Sequence, residues 1–347
     1  MKILIWGTGE IATQVLNNGL NGEVIGFLET VKSRNAYRGY PVYDINKFPH
    51  NFDLIIVANN FTDEIYSLCQ KKKIDLDKVI FLRKGKGDYF KNIPDLRNVL
   101  GEKNYTYYLA EYGTYKGSFF EDDMEKYKNL NTRKSFMIQE EYLRPIISNK
   151  YAMAGTMGNY FWQDLWAAKN IILDGVKEHY DIGSRLDGFI AHLLAAGIKV
   201  NMVDIRPFPG KVENLYTVVD DAAKMKNIKN NSLTSVSALC SLEHFGLGRY
   251  GDEINPEACF ECFEQIQNKL KSGGKLYISV PIGKERVEFN AHRVFFASTI
   301  IESFNKLKLL EYSCVTNNCI EYDVDINKYD DCTKDGDYRY GLFKFQK

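Results

Sequence analysis

Two histidines, His244 and His292, sit in stretches crowded with polar and basic side chains. The first reads Ser241-Leu242-Glu243-His244, with Arg249, Tyr250 and Asp252 close behind; the second reads Phe289-Asn290-Ala291-His292-Arg293, with Arg286 just ahead. Imidazole is the side chain best suited to taking a proton near neutral pH, so both are candidates for a general base. The sequence leaves open which of them acts. Arg249, Arg286 and Arg293 can grip a phosphate or a carboxylate through paired N–H donors. Glu243, Tyr250 and Asp252 can orient a sugar.

A second constellation, His179-Tyr180-Asp181-Ile182-Gly183-Ser184-Arg185-Leu186-Asp187-Gly188, reads as a strand, an acid, a glycine turn and a helix start. Glycine lets the backbone approach a ligand, and a carboxylate beside the turn can hold an ammonium group. Gly183, Ser184 and Arg185 are therefore candidates to contact an adenosyl cofactor, with Asp181 on its amino-acid part. The next apolar run ends at Val203-Asp204-Ile205-Arg206, where Asp204 can accept both hydroxyls of a ribose with Ile205 beside it. Asp221, in Asp220-Asp221-Ala222, stands at the following strand end, within reach of an adenine amino group. Gln163 lies between Trp162 and Trp166, in a stretch that fits either a lid over the cofactor or a core helix. A third pattern opens the chain: Gly7-x-Gly9-x-x-Ala12 follows an apolar run, and Glu29 closes the next one. This is the context of a dinucleotide turn, with glycines at the phosphates and the acid on ribose hydroxyls.

These residues need strands that end together. Lys2 to Trp6, Glu23 to Leu28, Asp53 to Ala58 and Lys78 to Leu82 are apolar runs alternating with helical patterns, the signature of a parallel sheet covered on both faces. Residues 86–150 show no such alternation but are rich in Tyr, Lys, Glu and Asn; Asp122 to Asn129 and Gln139 to Ile147 are expected to be helical. From Tyr151 the alternation resumes. The expected class is α/β: two Rossmann-like parallel-sheet domains, at 1–85 and 151–347, joined by a helical connector at 86–150.

Lys plus Arg and Asp plus Glu both number 45 in the 347 residues, so the net charge is zero, which disfavours nucleic acid as a partner. A neutral surface also leaves room for a homodimer. No apolar run approaches the ~18 residues of a membrane span, and the start lacks a signal-peptide pattern, so a cytoplasmic location is expected. The seven cysteines are expected to be free thiols. Cys259 and Cys262 read as one helix face, and no metal is expected.

The ordered series of acid and glycine turn at Asp181-Gly183, strand-end Asp204, Asp221-Ala222, Leu242-Glu243-His244 and Gly273-Gly274 before a strand resembles the class I methyltransferases that use S-adenosylmethionine. That resemblance implies the methionine part near Asp181 and Gly183, the ribose on Asp204 and adenine near Asp221. The usual third glycine of the loop is missing, and Arg185 and Asp187 stand in the turn. Tyr160 to Trp166, Asp181 to Arg185, Ser241 to Asp252 and Phe289 to Arg293 are similar to a methyltransferase-related family catalogued as a domain of unknown function, over about Tyr151 to Phe296. Its members often lie among polysaccharide-synthesis proteins. Lys2 to Leu28 with Arg38-Gly39-Tyr40-Pro41-Val42 resembles the nucleotide-sugar-binding domain of bacterial sugar acetyltransferases, which implies a nucleotide-sugar site near Gly7, Gly9, Glu29 and Asn59. The expected activity is therefore methyl transfer to a sugar or nucleotide-linked glycan precursor. The alternatives are an NAD-dependent oxidoreductase using the Gly7 turn, or a non-catalytic nucleotide-sugar-binding protein.

Overall fold

Lys2–Trp6 forms β1, and Ile3, Leu4, Ile5 and Trp6 are all wholly buried, so the strand shows an unbroken apolar run rather than an alternating one. The computed structural model describes residues 1–91, 93–208, 210–316, 318–332 and 338–347. The chain divides into two units, Met1–Gly155 and Thr156–Lys347.

In the first unit β1 is followed by α1 (Glu10–Asn18), β2 (Glu23–Glu29), the hairpin β3 (Ala36–Tyr37) and β4 (Tyr40–Asp44), β5 (Leu54–Val57), α2 (Thr62–Lys71) and β6 (Val79–Phe81). The sheet order is β3-β4-β2-β1-β5-β6, parallel throughout except for β3. Leu4 and Trp6 pack on the face covered by Ile65 and Cys69 of α2. Ile3 and Ile5 pack on the other face, with Ala12 and Val15 of α1.

Two helices follow within the same unit, α3 (Leu96–Glu111), kinked at Gly101, and α4 (Phe119–Leu130). Leu96, Val99, Leu100, Tyr105, Tyr108 and Leu109 of α3 join the α1 side of the core, which is where this stretch puts its aromatic side chains. Ser118 caps α4 by accepting from the Phe120 N–H at 3.1 Å. The helix expected over 139–147 is a single 3-10 turn at Glu140–Tyr142. Pro145 explains the difference, because it disfavours helical backbone in the residues before it, and Leu143 is extended.

The second unit runs α5 (Asn159–Leu173), β7 (Glu178–Ile182), α6 (Gly188–Ala195), β8 (Lys199–Asp204), β9 (Leu215–Val219), β10 (Leu233–Leu239), α7 (Ala258–Lys269) and β11 (Leu270–Ile282). A small hairpin of β12 (Arg286–Glu288) and β13 (His292–Val294), helix α8 (Ala297–Ser303), β14 (Lys308–Thr316), β15 (Cys319–Glu321) and β16 (Arg339–Gln346) complete it. The sheet order is β15-β14-β16-β11-β10-β7-β8-β9. Strands β9, β8, β7, β10 and β11 are mutually parallel, and β16 lies antiparallel between β11 and β14. The chain winds outward from β7 to β9, then returns to the far side of β7 as β10. This makes β7 and β10 a topological switch point, where helices on opposite faces leave a crevice beyond the strand ends. Both units are α/β with Rossmann-like, largely parallel sheets.

Cys259 and Cys262 are buried on α7 in the core, and burial pushes both thiols up. Cys69, Cys240, Cys259, Cys262, Cys314 and Cys319 are free thiols.

Candidate functional site

A cavity of about 1020 Å³ opens in the second unit beyond the ends of β7, β8, β9 and β10. The turn after β7 forms one wall. Gly183 has φ +71°, and a Cβ there would come within 3.1 Å of the Ser241 Cβ, so any side chain at this turn would be strained and pressed against the end of β10. Ser241 in turn donates to the Ile182 carbonyl at 2.7 Å. Beneath the turn Asp181 is completely buried. It accepts from the Ser237 hydroxyl at 2.5 Å, the Ser184 hydroxyl at 2.9 Å and the Ser184 N–H at 3.1 Å. Burial pushes its carboxyl up to about 6, against the pull of the two serines. Gly183, Ser184 and Arg185 line the cavity; Asp181 does not, because its oxygens are turned inward to hold the turn. The expected direct contact of Asp181 with a ligand ammonium is thus corrected to support of the loop. The exposed Arg185 pairs with Asp187 at 3.3 Å.

Asp164 of α5, which the sequence reading passed over, lines the cavity instead. Burial raises its pKa, and the neighbouring Asp187 adds to that shift. Nothing in the local pattern distinguishes it from an ordinary helix-surface acid. Gln163 is buried beside it, and its Oε1 accepts from the Cys240 thiol at 2.9 Å and the Ser279 hydroxyl at 2.7 Å.

Asp204 reaches the cavity from the tip of β8, with Ile205 next to it. Its carboxylate is met by Arg206: Oδ1 accepts from the backbone N–H at 2.8 Å and Nε at 3.0 Å, and Oδ2 from Nη2 at 3.1 Å. The Arg206 side chain is 60% exposed, so this fork sits at the rim. Asp220 and Asp221 follow β9 and also line the cavity. Asp221 binds the Ala223 N–H at 3.0 Å and Lys224 Nζ at 2.8 Å.

The loop after β10 carries the opposite wall. Glu243 and His244 lie in a 3-10 turn, Leu242–His244, and face the cavity with Arg249, Tyr250, Asp252 and His292. His244 Nδ1 donates to the Ala291 carbonyl at 2.6 Å, a geometry that leaves the lone pair on Nε2. Burial pushes this imidazole down to about 4, so it is neutral at physiological pH. His292 is also pushed down by burial, but its Nε2 lies 3.2 Å from Glu288 Oε2. Asp252 accepts from the N–H groups of Gly246 at 2.7 Å and Tyr250 at 3.2 Å, which shapes the loop. Arg249 and Arg206 both lie over the Tyr250 ring, at 5.2 and 5.5 Å from its centre. Tyr160, Tyr338 and Tyr340 add an aromatic wall. Tyr338 and Tyr340 arrive from the last strand and its approach, far from any motif.

Two of the expected substrate arginines are not in the cavity. Arg293 is 6% exposed and donates to the carbonyls of Phe245 at 2.6 Å and Pro256 at 3.1 Å. Arg286 is held by Glu288 at 2.8 Å and the Lys284 carbonyl at 3.0 Å. Both lie on the β12–β13 hairpin, whose register turns their guanidinium groups onto backbone oxygens.

In the first unit Gly7, Gly9 and Glu29 meet at the strand ends. Gly7 has φ +125°, and a Cβ there would lie 2.8 Å from the Ala58 carbonyl oxygen. Glu29 accepts from Thr8 Oγ1 at 2.6 Å and the Ser33 N–H at 2.6 Å, with Arg34 at 3.3 Å. Burial pushes its carboxyl up, but these partners outweigh that and hold it below the usual range.

Among the described residues no helix is long and apolar enough to cross a membrane, and no group of three or more His, Cys, Asp or Glu side chains could hold a metal ion.

A family model described as "Caenorhabditis protein of unknown function, DUF268" matches residues 192–333, and one described as "C2185-like, N-terminal" matches residues 1–80. No curated protein matches the chain. Among solved structures, a Burkholderia thailandensis 1,6-didemethyltoxoflavin-N1-methyltransferase, bound to 1,6-didemethyltoxoflavin and S-adenosylhomocysteine, is 17% identical with a TM-score of 0.39, over 53% of this chain and 78% of that one. The N-methyltransferase NodS from Bradyrhizobium japonicum, with S-adenosylhomocysteine, is 12% identical with a TM-score of 0.37, over 53% and 85%. The cyclase SpnF is 14% identical with a TM-score of 0.38, over 53% and 80%. At these values the likeness carries nothing about reaction, so the functional reading has to come from the cavity itself.

Proposed function

We propose that this chain is an S-adenosylmethionine-dependent methyltransferase acting on a sugar or nucleotide-linked glycan precursor. The observation that carries the reading is the cavity at the β7–β10 switch point. It gathers a glycine turn, a strand-tip Asp204, Asp220 and Asp221, and the neutral His244 into one space of about 1020 Å³. That size suits a nucleoside-sized cofactor together with part of an acceptor.

The residues present fit the cofactor. Asp204 would take the ribose hydroxyls, Asp221 and Ile205 the adenine, and Gly183, Ser184 and the carboxylate of Asp164 the amino-acid end. Arg206 is an exposed, swinging partner of Asp204 and can give way to a ribose. Glu29 in the first unit is held by the Ser33 N–H, the hydroxyls of Thr8 and Ser33, and the exposed Arg34 at 3.3 Å. When bound, the cofactor supplies a methyl group already activated on a sulfonium. The protein has to place the acceptor oxygen and remove its proton. His244 does the second, at Nε2, because Ala291 fixes the other ring nitrogen. The tyrosine wall offers flat apolar faces with polar tips to a sugar ring.

The test is calorimetry of the whole chain with S-adenosylhomocysteine, followed by a mass-spectrometric screen for methylated nucleotide sugars. Binding at one site per chain is expected, and an absence of binding heat sinks the reading.

A further inference from the structure

Glu243 lies on the cavity wall, yet it is 1% exposed. Its Oε2 is buried and makes no hydrogen bond among the described residues. Its Oε1 lies 3.7 Å from His244 Nε2. The ionisable groups that face it are Cys240, His244, Arg249, Cys259 and the phenols of Tyr160 and Tyr338. Of these only Arg249 is charged at neutral pH, and from β13 the buried guanidinium of Arg293 adds a second positive charge, donating to the Glu243 backbone carbonyl at 3.4 Å. A buried carboxyl with one oxygen left without a donor is costly to ionise. Burial accordingly pushes Glu243 up to about 8, with smaller opposing pulls from its own backbone N–H, Cys240 and Arg249. At neutral pH it is a carboxylic acid with a proton to donate.

Arg249 is exposed and uses Nη1 on the Ala291 carbonyl at 3.0 Å. Its Nε and Nη2 make no hydrogen bond among the described residues. The wall therefore presents one acceptor, His244 Nε2, next to two sets of donors. A lone hydroxyl needs only the acceptor. Two donors beside it, one of them charged, match an anionic oxygen.

We infer that Glu243 and Arg249 form an oxyanion seat beside His244, and that the acceptor carries a carboxylate or phosphate close to the reacting hydroxyl. The inference rests on reading this cavity as the acceptor site. A carboxylic acid donating to an anion makes a short, charge-assisted bond, and the guanidinium adds a second. A neutral sugar gains no such assistance. Above pH 8 Glu243 ionises, loses its proton and repels the anion. His244 stays neutral across this range and adds no charge of its own.

The experiment is calorimetry of the full chain with glucuronate, glucose 6-phosphate and glucose, with and without S-adenosylhomocysteine. The expected result is that one anionic probe binds about tenfold or more tighter than glucose at pH 6.5. Its affinity should fall about tenfold by pH 9, since a donor has become a like charge. Which of the two anions is preferred separates carboxylate from phosphate. Glu243→Gln keeps a donor at every pH, so its anion affinity should hold from pH 6.5 to 9. Arg249→Ala should lose the preference for the anion. Thermal melts of both variants establish that they are folded. Glucose binding as tightly as both anions, no probe binding at all, or identical pH profiles for wild type and Glu243→Gln each overturn the inference. Heat from S-adenosylhomocysteine reports on the cofactor reading separately. Anion binding by a chain that ignores that ligand would sink the methyltransferase and leave the seat, and the reverse pattern would do the opposite.

Discussion

Asp204 and Arg206 make opposite predictions for cofactor affinity. In the free chain Asp204 accepts two side-chain bonds from Arg206, at 3.0 and 3.1 Å, and one from its backbone N–H at 2.8 Å. A ribose would displace the two side-chain bonds and leave the third. Each hydroxyl-to-carboxylate bond contributes ~1.5–3 kcal/mol. The displaced ion pair is 60% exposed on the arginine side, so breaking it costs only ~0.2–1 kcal/mol. Asp204→Ala should therefore weaken S-adenosylhomocysteine by ~2–6 kcal/mol, or ~30-fold to ~20,000-fold. Arg206→Ala removes the competitor and should tighten it by up to ~1 kcal/mol, about fivefold. Titration calorimetry at low ionic strength reads both, because salt screens the exposed pair. The side chains sit at a strand tip on the cavity rim, so thermal midpoints should move little. Affinity of Asp204→Ala within threefold of wild type, or equal weakening by both substitutions, would refute the placement of ribose on Asp204.

His244→Gln should leave S-adenosylhomocysteine binding intact and lower turnover by ~10²–10⁴, with the acid limb of wild-type kcat/KM near pH 4 rather than 6.5; undiminished turnover would move the base to His292. Gly183→Ala forces a side chain into φ +71° and into contact with Ser241, so it should cost ~1–2 kcal/mol in denaturant unfolding and weaken the cofactor as well. His179 is fully buried, bonded to Ser235 at 2.7 Å and Ser237 at 2.8 Å, and burial pushes it down to about 3. Its folded pKa lies below its unfolded value, so the stability it confers is present above pH 6.5 and is lost as pH falls towards 3. Wild type should lose ~2 kcal/mol from this one group between pH 7 and 5, and His179→Gln should lose that component; parallel profiles would contradict it.

Much of the sheet was legible because its strands are buried on both faces. Ile3 to Trp6 and Leu54 to Val57 are apolar in runs, and no loop composition imitates that. Strand β16 is hard to read from sequence although its core residues Phe343 and Phe345 are wholly buried, because Arg339, Tyr340 and Lys344 dilute the run. The glycine turn was legible for a different reason: an acid, a glycine and a helix start in sequence leave few backbone paths. What such a motif does not encode is the direction of the carboxylate.

Residue types and spacing alone establish the α/β class and mark the turn at Gly183, the strand-tip acid at Asp204 and the stretch around His244 as candidates. Those are local properties, set by burial period and by the backbone freedom of glycine. The tertiary structure decides which of these side chains share a space. It turns Asp181 under the loop and brings Asp164 forward, because Ser184 and Ser237 close over one carboxylate and not the other. It removes Arg286 by bonding it to Glu288 on the hairpin and Arg293 by bonding it to the Phe245 and Pro256 carbonyls, and adds Tyr338 and Tyr340 from the other end of the chain. It also makes Glu243 neutral, since burial beside His244 withdraws the water that would keep a carboxylate charged.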